Sequence, residues 1–323
     1  MQTLNLGPES NALRVSRVAY GCMQIGGSWD DAELSSAVTA RAVAAVSAAI
    51  EAGINFFDHA DIYCRGKSER VFALALTELG VRREDVLLQS KCGIRFAGDG
   101  GASAPHRFDF SYEHIVRSVD QSLLRLKTDY LDVYLLHRPD ALVEPDEVAR
   151  AFDALHANGK VRHFGVSNHT PAQLELLQRS LRQPLITNQL QLSLVHSHLI
   201  DAGITMNQGK VASGADGVLD YCRLRGITVQ AWGPLAAGRA LGGDADVRSR
   251  ALAAVVTRLA EEKAVQPEAI AIAWLLRHPA RIQPVFGSTA PARIRAAADG
   301  DSVELSREQW YELYIAGRGE NLP

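Results

Sequence analysis

Asp58, Tyr63, Lys91 and His137 are the residues whose types and spacing suggest shared chemistry. Residues 54–57 form a short apolar run that turns abruptly polar at Asp58, and Tyr63 follows in the loop beyond it. The run 85–91 ends on Lys91, and the run 130–137 ends on His137. A buried strand reads this way when its end opens into a pocket. Taken singly, each residue is an ordinary cap, turn or rim side chain; on three successive apolar runs they converge on one site. A tyrosine near its free pKa of ~10 is a poor acid at neutral pH. A neighbouring ammonium favours the phenolate, and an aspartate paired with that lysine keeps it charged and oriented. A histidine opposite can position a carbonyl oxygen. The set describes proton transfer for a carbonyl/alcohol couple. None of these groups delivers a hydride, so reduction requires a nicotinamide cofactor.

Eight apolar runs carry strand signals: 18–21, 54–57, 85–91, 130–137, 163–167, 185–189, 228–232 and 283–286. Between them lie helical patterns at 41–52, 67–79, 111–126, 145–158, 171–181, 217–225, 249–263 and 267–277. Thr170-Pro171 and Gln266-Pro267 put proline at the first helical position, where its missing N–H costs nothing. Strand and helix alternating eight times implies a parallel sheet, and at this length a closed (β/α)8 TIM barrel forming one domain over 1–323. Such a barrel carries its site at the carboxyl ends of the strands. Residues 3–6 and 13–16 flank a turn and read as an N-terminal hairpin plugging the barrel floor; 306–317 reads as an extra C-terminal helix. Two connections, 92–110 and 190–216, are long enough to be functional loops.

A net charge of -3 offers no basic footprint for nucleic acid. No apolar run is long enough to span a bilayer, and residues 1–11 lack the basic-then-apolar pattern of a secretory signal. Four cysteines without paired spacing suit a reduced, cytoplasmic protein. A monomer is the expectation.

The segment Gly53 to Tyr63, with Ser68-Glu69 after it, resembles the signature of the aldo-keto reductases around their catalytic Asp and Tyr. Lys91 and His137 match the other two members of that family's tetrad in order and spacing. The resemblance implies NADP(H) bound extended across the barrel mouth, and a small carbonyl substrate. It implies that Ser167, Asn168 and Gln189 hold the nicotinamide carboxamide and that Trp232 stacks on the nicotinamide. Gly233, Pro234 and Leu235 would lie along the pyrophosphate, and Gly287, Ser288, Thr289 and Arg293 would form the adenosine-phosphate site. Met23 and Trp29 would wall the substrate pocket. The sequence departs from the pattern at His59 and Cys64, where Thr and Gly are common, and at Gly287, where many members place Lys. Ala296 and Ala297 replace a common Glu and Asn.

Other readings remain open at this level. His196 and His198 have the spacing of a metal pair without a third ligand, and no metal is expected. Cys64 and Cys92 directly follow Tyr63 and Lys91, as reactive thiols or as small buried residues. Lys91 could form a Schiff base. Arg95 and Arg107 suggest an anionic substrate. The residues 238–243 form a glycine-rich segment suited to folding over a pyrophosphate. The family also includes nicotinamide-sensing regulatory modules, so a sensor with very slow turnover is the alternative to an enzyme.

Overall fold

The computed structural model describes residues 1–205, 215, 217–242 and 247–323. Much of the long connection 190–216, and Gly243 of the glycine-rich segment, therefore fall outside the described residues.

An antiparallel hairpin comes first, β1 (Thr3–Leu6) and β2 (Leu13–Ser16), paired from Thr3 opposite Ser16 to Leu6 opposite Leu13. The barrel strands are β3 (Ala19–Gly21), β4 (Phe56–Asp58), β5 (Leu87–Cys92), β8 (Leu131–Leu136), β9 (Val161–Ser167), β10 (Leu185–Gln191), β11 (Thr228–Trp232) and β12 (Gln283–Phe286). They pair in parallel in that order, and β12 closes onto β3. This is the expected (β/α)8 barrel. A short antiparallel pair, β6 (Ile94–Arg95) with β7 (Arg107–Phe108), lies within the long 92–110 connection.

Helices α1 (Ser36–Glu51), α2 (Lys67–Glu78), α3 (Tyr112–Leu126), α4 (Pro145–Ala157), α5 (Pro171–Gln178), α6 (His198–Ile204), α7 (Val218–Arg225), α8 (Val247–Glu262), α9 (Pro267–Leu276), α10 (Pro291–Asp299) and α11 (Arg307–Arg318) cover the sheet. The first begins five residues before the expected start, because Ser35 Oγ caps the Val38 N–H at 3.3 Å and so starts the helix earlier. Thr170 with Gln173, and Ser306 with Gln309, form capping boxes that start α5 and α11. The last helix docks through Trp310 stacked on Trp274, ring centres 5.3 Å apart, each indole N–H donating to the other residue's carbonyl oxygen.

The hairpin closes the floor, as expected. Leu4, Leu6 and Val15 pack with Ala19, Phe56, Val133, Leu135, Ile186 and Val285 inside the strands. Above that apolar layer the barrel interior turns polar. Gln283 donates to the Ser16 carbonyl at 2.8 Å, and Gln230 donates to Gln283 at 2.9 Å. Gln89 and Gln189 each donate to Gln230 and to Asp58 Oδ1. A hydrogen-bonded file of amides thus runs from the floor to Asp58. Among the described residues no helix is long and apolar enough to cross a membrane.

Candidate active site

Strand register fixes the central cluster. Asp58 is the last residue of β4 and stands opposite Gln89 on β5. Lys91 lies two residues beyond Gln89, so the strand's alternation puts it on the same inward face, one step closer to the mouth. Its ammonium, fully buried, lies 2.8 and 2.9 Å from the two Asp58 carboxylate oxygens. It also donates to the His59 carbonyl at 2.6 Å and to the Tyr63 hydroxyl oxygen at 3.1 Å. All three of its hydrogens are therefore committed. The His137 N–H bonds the Cys92 carbonyl, which sets the imidazole just past β8 with its ring 5.9 Å from the Tyr63 ring, edge to face. The structure brings all four sequence-selected residues together.

Tyr63 is placed by an unusual turn. Cys64, Arg65 and Gly66, the residues directly after it, all have positive φ, at 47°, 56° and 80°. Two non-glycine residues in the left-handed region carry strain, which persists only where the surroundings hold it. Here Cys64 Sγ donates to the Met23 and Gly27 carbonyls, Arg65 Nε donates to the Trp29 carbonyl, and Gly66 has no room for a side chain beside Arg125. Lys67, almost fully buried, binds Asp30, Ser28 and the Ala32 carbonyl. The loop bearing Met23 and Trp29 is thereby fastened to the Tyr63 turn. Trp29 stands edge-on to Tyr63 at 6.4 Å and to Phe96 at 6.4 Å; Met23 contributes carbonyl contacts while its side chain stays exposed.

The electrostatics differ in one respect from the reading by residue type. Burial raises the Tyr63 phenol, and the nearby Lys91 ammonium only partly offsets this. Burial alone would lower Lys91, yet Asp58 and then Tyr63 hold it above its usual value. Without a ligand the pair is a neutral phenol and a charged ammonium. Burial, then Lys91 and Arg138, push His137 well below its usual value, so it is neutral at pH 7. His59 is pushed to about 3 by burial and then by Lys91; its ring packs edge-on to Phe72 and both ring nitrogens lack partners.

Ser167, Asn168, Gln189 and Trp232 meet at the ends of β9, β10 and β11. Asn168, at φ 62°, donates to the His137 carbonyl at 3.2 Å and to Ser167 Oγ at 2.7 Å, and accepts from Trp232 Nε1 at 3.2 Å. Ser167 Oγ donates to the Gln189 carbonyl at 2.8 Å. The Gln189 side chain turns inward to Asp58 and Gln230, so its amide nitrogen is already engaged in the amide file. Gly233 follows in the left-handed region with open space where a Cβ would stand; Pro234 and Leu235 continue the turn. Gly287 lies against Gly21, where a Cβ would meet the Gly21 carbonyl oxygen at 2.8 Å, which explains the missing lysine. Ser288 accepts from the Ala290 N–H through Oγ and from the Tyr20 hydroxyl through its carbonyl. Thr289 precedes α10, and Arg293 sits in that helix's first turn.

The anionic-substrate reading of Arg95 and Arg107 changes. Arg95 binds Asp109 at 2.8 Å, and both Arg95 and Arg107 donate to the Asp99 carbonyl; these arginines hold their loop together. Burial raises the Cys64 and Cys92 thiols, which makes them poor nucleophiles. His196 and His198 rings lie 4.6 Å apart, and no cluster of three metal-ligating side chains occurs among the described residues. Two residues were missed. Arg138, adjacent to His137 in sequence, lies over the Trp232 ring at 5.7 Å. Glu268, from the start of α9, reaches Arg293 with 3.0 Å between Oε1 and Nε. No local signal could reveal a pair separated by 25 residues.

These residues fit an extended dinucleotide: an aromatic face and amide groups at one end, an open left-handed turn between, and a guanidinium at the other end. Comparison with known proteins identifies the family. The aldo/keto reductase family model matches residues 17–316. The chain is 36% identical to the uncharacterized oxidoreductase YcsN of Bacillus subtilis over 325 residues, the full length of both. It is also 36% identical to a 6-dehydroglucose reductase of Agrobacterium fabrum, covering 97% of this chain and 98% of that one. Among solved structures, a glycerol dehydrogenase from Gluconobacter oxydans aligns with a TM-score of 0.78 at 25% identity, over 99% of this chain and 96% of that one. A match of that extent, on this barrel, shows that the chain belongs to the aldo/keto reductase family and is an oxidoreductase of that kind.

Proposed function

We propose that this protein reduces an aldehyde or ketone to the alcohol with NADPH, with Tyr63 as the general acid. The observation that carries the reading is the direction of one hydrogen bond. Tyr63 accepts from Lys91, so its own hydroxyl hydrogen is left to donate into the cleft. Bound NADPH supplies the hydride. Tyr63 gives its proton to the carbonyl oxygen as that oxygen becomes an alcohol, and the resulting phenolate is stabilised by the ammonium beside it. Asp58, steadied by Gln89 and Gln189, keeps that ammonium charged and aimed. His137, neutral, donates an N–H that orients the substrate oxygen. Ser167, Asn168 and Gln189 hold the carboxamide, Trp232 covers the nicotinamide, Gly233, Pro234 and Leu235 follow the pyrophosphate, and Gly287, Ser288, Thr289 and Arg293 take the adenosine phosphate. Met23 and Trp29 bound the substrate side. The chain acts as a cytoplasmic monomer, one domain over residues 1–323.

A small carbonyl compound is the substrate class. The name of the Agrobacterium fabrum relative puts sugar-derived aldehydes first in a screen. The test follows NADPH absorbance against a panel of aldehydes and ketones, beside a stopped-flow measurement of cofactor exchange. Steady turnover with at least one carbonyl supports the enzyme. Stoichiometric oxidation followed by very slow exchange would favour a nicotinamide sensor instead.

A further inference from the structure

Arg293 is the one residue assigned to the cofactor site that carries a full positive charge, and it is not free. Its Nε lies 3.0 Å from Glu268 Oε1. The two partners are unequally held. The Glu268 side chain is 13% exposed and stands in the first turn of α9, where the helix N-terminus favours a carboxylate. The Arg293 side chain is 48% exposed, in the first turn of α10. Only its Nε is engaged among the described residues, so the terminal nitrogens remain available as a two-pronged donor. A negative charge thus sits 3.0 Å from the group that would attract a 2′-phosphate.

We propose that Glu268 tempers the attraction of Arg293 for the NADPH 2′-phosphate, so that NADH remains a usable competitor. This rests on the nicotinamide reading above. Three features support a tempering role. The Glu268 carboxylate offsets the guanidinium charge that a phosphate would feel. Gly287, pressed against Gly21, supplies no second cation to compensate. The carboxylate is also the only acidic side chain bonded to Arg293 among the described residues, and its second oxygen has no bonded partner there, which leaves an acceptor for a free ribose hydroxyl.

The discriminating substitution is Glu268→Gln. The amide oxygen can still accept from Arg293 Nε, so orientation is kept while the charge is removed. Dissociation constants for NADPH, NADH, 2′,5′-ADP and 5′-AMP are measured by calorimetry at one ionic strength, in wild type, Glu268→Gln and Arg293→Ala. The pair is partly exposed, so the effect is modest: Glu268→Gln tightens NADPH and 2′,5′-ADP by about two- to fivefold. It leaves NADH and 5′-AMP unchanged or slightly weaker, and Arg293→Ala weakens only the two ligands that carry a 2′-phosphate. Weaker NADPH binding in Glu268→Gln would make the carboxylate a positioning aid and overturn the proposal. An unchanged NADPH/NADH ratio, with both cofactors bound, would also overturn it while leaving the cofactor assignment intact. Failure of the wild type to bind either dinucleotide would overturn the cofactor assignment and the proposal together. Melting curves confirm that each variant is folded.

Discussion

The Lys91 ammonium lies 3.1 Å from the Tyr63 hydroxyl oxygen, and both groups are buried. This contact gives the phenol a charged donor on one side and leaves its hydrogen facing the other. Burial nonetheless raises the phenol's pKa overall. The lysine therefore acts less by ionising Tyr63 beforehand than by stabilising the phenolate once the proton has left.

The pH dependence of reduction follows from this. His137 lies well below its usual pKa, so it stays neutral as pH falls through 6, and Tyr63 lies above its own, so it keeps its proton through neutrality. The kcat/KM for a carbonyl substrate should be flat from pH 6 to 8 and fall only on the alkaline side. An acid limb with a midpoint between 6 and 7 would show that His137 titrates normally and that its placement is wrong.

Stability should respond to pH through Asp61. Its Oδ1 is sealed from solvent without a partner, and burial, then Glu69, raises the carboxyl from its usual value to about 8. Between the unfolded pKa of ~3.9 and about 8 the folded state holds the extra proton, so stability falls as pH rises across that window. Asp61→Asn should flatten the slope and stabilise the fold at pH 7.5, by an amount on the order of 1–3 kcal/mol. Parallel pH–stability curves for the two proteins would contradict this.

Cofactor binding should be visible in tryptophan fluorescence. Trp232 faces Asn168 and the site, whereas Trp274 and Trp310 stack on each other where the last helix docks. NADPH should quench part of the emission, and Trp232→Ala should remove most of that change. A quench that survives in the variant would transfer the role to Trp29, beside Tyr63.

The barrel was legible from the alternation of apolar runs and helical patterns, and the four central residues because three of those runs end abruptly at a charged or polar group. The docked hairpin was legible from its turn. Features made by contacts between distant segments were not. Glu268 meets Arg293 only because α9 and α10 lie side by side. The left-handed turn at Cys64, Arg65 and Gly66 has only one glycine to announce it. Arg95 and Arg107 carried the right charge for a substrate anion, but loop carbonyls and Asp109 claim them. Glutamines at 89, 189, 230 and 283 stand on barrel strands, but their shared target became clear only once the barrel closed.

The central claim is that Tyr63 is the proton donor, and Tyr63→Phe tests it most directly. The substitution removes the hydroxyl and no cofactor contact. Single-turnover reduction of an aldehyde by prebound NADPH should slow by about 10²–10⁴-fold, while the NADPH dissociation constant changes less than about twofold. A variant that keeps more than about half of the wild-type single-turnover rate would show that the proton comes from elsewhere.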